Sequence, residues 1–161
     1  MSANRHIENR ESDRENAPTT FEDLEVYQVA RGFRKLMYEV ARQLPEFEKF
    51  GMVPQVRRAA LSLTNNIAEG HGRFHFLDQI KFMFQSRGSL QELIDDLITC
   101  EDERYLPQER IAELKNEGWR VRQLIDGYIR YLRRSKSSAS VREDAEHAPN
   151  YDSRLSNYDE P

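Results

Sequence analysis

The sequence has one cysteine, Cys100, so a disulfide within the chain and a cysteine-based zinc cluster are both excluded. It has no apolar run near the roughly 20 residues that span a bilayer. Its opening, MSANRHIENRESDRENAPTT, lacks the apolar segment of a secretory signal. A cytoplasmic protein that stays out of the membrane is the simplest expectation. Alternating apolar and polar runs bounded by hairpin turns are also missing, which leaves no candidate strands. No unit of roughly 20 to 50 residues recurs, so a solenoid or propeller is excluded. An excess of one charge is absent where it would matter most. The 24 basic and 28 acidic residues give a net charge of −4, but residues 21–135 hold 18 of each. A balanced domain is not the footprint of a strong nonspecific nucleic-acid binder, which concentrates positive charge on one face.

The 161 residues suffice for one domain with a sizeable core. A hydrophobic share of 38% against 32% charged is polar for a compact domain, so part of the chain is expected to be tail. Residues 1–19 contain Ile7 amid Asn, Glu, Arg and Ser. Residues 136–161 are acidic, with isolated Val141, Tyr151, Leu155 and Tyr158. Neither segment can bury enough apolar area to offset its ordering entropy, and both are expected to be disordered. The domain between them spans 20–135.

Four segments of that domain have helical periodicity. Val26, Ala30, Phe33, Met37, Val40 and Leu44 form one stripe of a helix from about Phe21 to Leu44, ended by Pro45. A second helix runs from Val53 or Pro54 to Glu69, with Gly70 and Gly72 terminating it. The third, about Phe74 to Arg104, buries Phe76, Ile80, Met83, Leu90, Leu93, Ile94 and Leu97. Gly88 in its middle predicts a close approach by another helix, with Ala59, Ala60 and Ser62 as partners. The last helix starts near Pro107 and repeats Ile111, Leu114, Gly118, Val121, Ile125, Tyr128 and Leu132 at three-four spacing. Short loops between such helices predict an all-α, antiparallel up-down-up-down four-helix bundle.

The second helix poses a question. At about 100° per residue, Val56, Ala60, Leu63 and Ile67 gather on one side, while Gln55, Arg58, Ser62, Asn66 and Glu69 gather on another. Three readings stand for that polar file. It meets another protein surface, it is a solvated face, or it belongs to a hydrogen-bonded network within one chain. In the third reading Glu92 reaches Arg58 or Arg57, an ion pair that fixes helix register more than it stabilises.

The order FEDLEVYQVA, FGMVPQVRRAALSLTNNIAEGHGR, FMFQSRGSLQELIDDL and ERYL resembles the four-helix-bundle proteins encoded in intervening sequences of 23S ribosomal RNA genes. The resemblance covers about residues 21 to 134. Gly51, Gln55, Arg57, Arg58, Ala59, Ser62, the run Asn66 to Gly70, Arg73, Gly88, Ser89 and Glu92 carry its most specific part. Asn65 departs from the small residue expected before Asn-Ile-Ala-Glu-Gly. The resemblance implies a homo-oligomer, with a pentamer favoured, and a structural or interface role for Gln55, Arg57, Arg58, Ser62, Asn66, Glu69, Arg73, Ser89 and Glu92. More distantly the chain is similar to the accessory protein of diversity-generating retroelements, a basic bundle that works with a reverse transcriptase and nucleic acid. This chain lacks that basic character.

Candidate chemistry is sparse. Glu69, His71, His75 and Asp78 are the one group of possible metal ligands, and Gly72 separates the histidines, so no metal or other cofactor is expected. Nucleotide-binding glycine motifs and HExxH are absent. Ser62 and Ser89 have no base at a suitable spacing. Cys100 beside Glu101, Asp102 and Glu103 is expected to have a raised pKa and to be inert. Residues 110–136 carry 8 basic and 3 acidic residues. Arg120, Arg122, Arg130, Arg133 and Arg134, beside Tyr128 and Tyr131, are the candidate phosphate contacts. The alternative is that they complement a helix C-terminus and cover apolar neighbours. The leading expectation is a non-enzymatic homo-oligomeric scaffold or adaptor whose partner is itself. The second is an accessory protein that binds RNA or another nucleic acid, in company with ribosomal RNA or a reverse transcriptase.

Overall fold

The structure, a computed structural model, describes residues 20–146, with side chains as far as residue 138. Of the tails expected at 1–19 and 136–161, the first and residues 147–161 of the second lie outside the described residues. Helices α1 (Glu25–Gln43), α2 (Met52–His71), α3 (Phe76–Asp102) and α4 (Gln108–Glu146) make up the fold, and no strand occurs among the described residues. α4 continues past residue 135, where the domain was expected to end.

The boundaries follow local chemistry. The first helix was expected from Phe21, but Phe21–Asp23 form a separate 3-10 turn. Thr20 accepts the Glu22 N–H and Asp23 accepts the Thr20 N–H at 3.0 Å, a reciprocal cap that closes on this one turn. Leu24 then takes extended backbone and buries its side chain before α1 begins. At the other end Leu44 is extended ahead of Pro45, as the restriction before proline requires. α2 starts at Met52, so Pro54 sits inside its first turn, where its missing N–H is not needed. α3 ends with Arg104 at φ 55, its N–H bonding Glu101 O while Tyr105 N–H bonds Cys100 O. This crossed pair satisfies carbonyls of the last turn.

Cross-helix contacts set the directions. Along α2 and α3, Gln55 meets Asp96, Ser62 meets Ser89 and Leu63 meets Ser86. One number rises as the other falls, so the two helices are antiparallel. The same holds for α3 and α4, where Arg87 meets Asp126, Gln91 meets Arg122 and Glu101 meets Lys115. α4 closes back onto α1. The predicted stripe of α1 is buried throughout, as are Ile111, Leu114, Val121, Ile125 and Leu132 of α4. Burying each such side chain stabilises by about 1.5–3 kcal/mol.

Gly88 corrects one expectation. It is exposed, and a Cβ added there would meet nothing within 4 Å. The close approaches occur at other glycines. A Cβ on Gly118 would lie 2.5 Å from Ile94 Cδ1 and 3.2 Å from Phe33 Cζ, and one on Gly70 would lie 2.9 Å from Phe82 Cβ. Gly70 therefore packs inside the last turn of α2, and Gly72 alone caps it. Ile94 Cδ1 can swing aside, whereas Phe82 Cβ moves only with α3.

Gly70→Ala is therefore expected to destabilise the fold by about 1–3 kcal/mol through overpacking. Gly32→Ala, on open helix surface, should instead stabilise by about 1 kcal/mol. Urea denaturation of both variants checks this, and an unchanged midpoint for Gly70→Ala would show that the α2–α3 approach is not a constraint.

Candidate functional site

The fold divides the polar file of α2. Gln55, Ser62 and Asn66 turn toward α3 and form a seam. Gln55 Nε2 donates to Asp96 Oδ1 at 2.9 Å, and the Ser62 and Ser89 hydroxyls share a hydrogen bond of 2.9 Å. Asn66 Nδ2 donates to the Ser62 carbonyl at 2.9 Å and reaches its hydroxyl at 3.1 Å. Deeper in the same seam, the buried Ser86 hydroxyl donates to the Leu63 carbonyl at 2.7 Å. These bonds run within one chain, and the carboxylate they use is not the expected Glu92. Glu92 is exposed and pairs with neither Arg57 nor Arg58 among the described residues. Asp96, one turn on and rotated toward the core, is the carboxylate that crosses the seam.

Asp96 is unusual. Its side chain is 4% exposed, and its second oxygen, Oδ2, is buried without a hydrogen-bond partner. Burial pushes its pKa up to about 6, against the Gln55 hydrogen bond, which lowers it; Asp95 and Glu92 nearby push in the same direction as burial. A protonated carboxyl removes most of the cost of burying the group.

Arg58 and Glu69 of the file, and Arg57 and Arg73 beside it, lie elsewhere. Arg57 and Arg58 are exposed on the α1–α2 side, with the Arg57 guanidinium 5.3 Å from the Tyr38 ring centroid. Glu69 and Arg73 form an exposed ion pair at the end of α2, and Arg73 also covers the Phe82 ring at 4.7 Å.

The arginines of α4 do not form one patch. At about 100° per residue, Arg120, Arg122, Arg130, Arg133 and Arg134 spread over roughly 160° of the helix. Arg122 is committed internally, with Nε 2.8 Å from Asp126 Oδ2 and Nη1 3.0 Å from Gln91. Arg87 takes the other Asp126 oxygen at 3.0 Å. Burial alone would raise the Asp126 pKa, but the hydrogen bonds from Arg122 and Arg87 hold it below the usual value. Arg133 lies over the Phe84 ring at 5.8 Å, with Arg87 at 4.7 Å on the same ring. Arg120 stands 4.0 Å from Glu117, and Arg130 and Arg134 are exposed.

Nucleophile chemistry finds no support in this geometry. Ser62 and Ser89 bond to each other rather than to a base. The Cys100 thiol is buried and pushed up to about 11, first by burial and then by Asp96 and Glu48. The direction matches expectation, but the carboxylates responsible are not Glu101, Asp102 and Glu103. Among the described residues no three of His, Cys, Asp and Glu are placed to hold a metal ion. No described helix is long and apolar enough to cross a membrane.

One residue escaped the sequence reading. Glu48 accepts the Met52 N–H at 2.9 Å and the Tyr105 hydroxyl at 2.8 Å. A single carboxylate thus caps α2 and ties it to the α3–α4 loop, pushing the Tyr105 phenol up to about 12. The signal was faint: a Glu four residues before a helix start.

Asp96 generates a pH prediction. Its folded pKa lies above its ordinary value of 3.8, so the folded state binds more protons between about pH 4 and 6. Stability contributed by the neutral carboxyl is present below that window and lost as pH rises through it. Asp96→Asn keeps an acceptor for Gln55 and abolishes the titration. It is expected to stabilise the protein at about pH 7.5 by on the order of 1–3 kcal/mol, with the advantage vanishing near pH 4. Thermal melts across this range check it, and parallel curves for the two proteins would rule the burial penalty out.

The chain matches no curated protein. It does match a family described as 23S rRNA-intervening sequence protein, over residues 22–127. The match contains the seam, Arg120 and Arg122, and it stops short of Arg130, Arg133 and Arg134. With most of the helical domain inside that match and four packed helices as the fold, the chain belongs to the 23S rRNA-intervening sequence protein family.

Proposed function

We propose that the protein is a non-enzymatic homo-oligomeric scaffold or adaptor that assembles through the outer stripe of α3. The observation that carries this reading is the row Leu77, Phe84 and Gly88, which falls along one side of that helix. Leu77 is 59% and Phe84 37% exposed, and a cavity beside them is also lined by Lys81 and Gln85. Gly88 lies open in the same row. Within one subunit that glycine costs about 1 kcal/mol of helix stability with no contact in return. A second backbone seated against it supplies the reason. The stripe turns acidic beyond Gly88, with Glu92 and Asp95 exposed, which gives the contact direction as well as area. Five copies is the number that the family resemblance implies, and head-to-tail contacts of unlike surfaces close into such rings.

Sedimentation velocity of the full chain at micromolar concentration is expected to give a multiple of the 19.0 kDa chain mass, with five copies favoured. Leu77→Glu and Gly88→Arg, both at open positions, should dissociate the assembly while leaving the helical circular-dichroism signal intact. A monomeric wild type, or assembly indifferent to both substitutions, would defeat the proposal.

A further inference from the structure

The α1–α2 face carries a second surface, independent of the α3 stripe. Two adjoining cavities of about 550 and 500 Å³ share Tyr38 and Leu61 and together form one groove. Arg34, Lys35 and Arg42 line it from α1, Arg57 and Arg58 from α2, and Lys49 from the loop between them. The one acidic residue in its lining is Glu39, whose carboxylate is 4.0 Å from Arg110 of α4. Six cations thus face one anion in a domain that is neutral as a whole. Balance over residues 21–135 conceals this segregation.

The cations are also available. Lys35, Arg42, Arg57 and Arg58 join no ion pair among the described residues. Arg34 Nη1 is held by the Thr64 hydroxyl at 2.8 Å, which orients its guanidinium without neutralising it. Only Lys49 has an ionic partner, the exposed Glu46. In α4, by contrast, Arg122 is already paired with Asp126 and bonded to Gln91.

Between the cations the floor is not polar. Tyr38 is half-buried beneath the Arg57 guanidinium, and Leu61 is 43% exposed beside it. From Arg34 to Arg42 the lined edge of α1 extends about 12 Å. A polyanion whose charges are spaced along a chain matches the rim. Flat apolar faces between those charges match the floor. Single-stranded nucleic acid has both features, because its unpaired bases are free to stack on an aromatic ring while its phosphates follow a cationic groove. A duplex hides its base faces and has no use for Tyr38.

We infer that the α1–α2 groove is a binding site for single-stranded nucleic acid, with Arg34, Lys35, Arg42, Arg57 and Arg58 on phosphates and Tyr38 as a stacking platform. Fluorescence anisotropy of the full chain with labelled single-stranded RNA and DNA of about 16 nucleotides tests it. Both are expected to bind at about 50 mM salt and to weaken steeply by about 200 mM. The double variant Arg57→Gln, Arg58→Gln should weaken binding at least tenfold and reduce the salt slope by roughly 1.4, two phosphates' worth. Tyr38→Ala should weaken it about tenfold while Tyr38→Phe retains it. Arg130→Gln, Arg133→Gln and Arg134→Gln together should leave it unchanged.

Absence of binding at low salt would overturn the inference. So would affinity lost with the α4 variants instead of the groove variants. Loss of assembly in sedimentation, with affinity unaltered in the groove variants, would assign the groove to a second copy of the chain. Assembly itself is read from Leu77→Glu and Gly88→Arg, so failure of the scaffold proposal and failure of this one are separable.

Discussion

Apolar stripes attract without direction, and two helices bearing them can slide by a turn at little loss. Hydrogen bonds between buried groups cannot slide. In this bundle the α2–α3 seam supplies them: Ser86 to the Leu63 carbonyl, Ser62 to Ser89 and Gln55 to Asp96. A slip of one turn would take their partners from the buried Ser86, Ser89 and Asp96, at a cost of about 1–3 kcal/mol per unsatisfied group. Gly70 tightens the same register, since Phe82 can lie against the α2 backbone only where no Cβ intervenes. The positions of α1 and α4 then follow, because both pack on helices whose relative height is already set.

What the sequence revealed and what it concealed divide along that physical line. Burial stripes repeat within one helix, so Val26 to Leu44 and Ile111 to Leu132 were legible from spacing alone. Partners across a seam depend on the relative height and rotation of two helices, which no single periodicity encodes. Glu92 and Asp96 are one turn apart on nearly the same face, and only the roughly 40° between them decides which is buried. Gly88 and Gly118 show the same limit. Each is a glycine in a helix interior, but one faces solvent and the other faces Ile94 and Phe33. The polar file on α2 was visible as a file, and its destinations, seam, groove and the ion pair at the helix end, were not.

Charge shows a related effect at longer range. A neutral count over residues 21–135 argues correctly against a uniformly basic surface, and it says nothing of segregation. Helical rotation spreads the α4 arginines, conspicuous in sequence, around their axis, and Asp126 and Phe84 engage two of them, Arg122 and Arg133. The cations of α1 and α2 are scattered in sequence between acidic residues, yet antiparallel packing brings them onto a single rim around Tyr38 and Leu61. Local field depends on this convergence and not on the total.

The two surfaces proposed here use different side chains. Leu77, Phe84 and Gly88 belong to α3, and the groove belongs to α1, α2 and their loop, so occupying one does not consume the residues of the other. That separation matters for energetics. A single groove with five or six phosphate contacts loses most of its affinity as salt rises toward physiological strength. Copies held together present several grooves to one strand, and each further engagement is then intramolecular, with its effective concentration set by spacing rather than by bulk concentration. Assembly through α3 would thereby convert a weak site on each subunit into a salt-tolerant one on the whole.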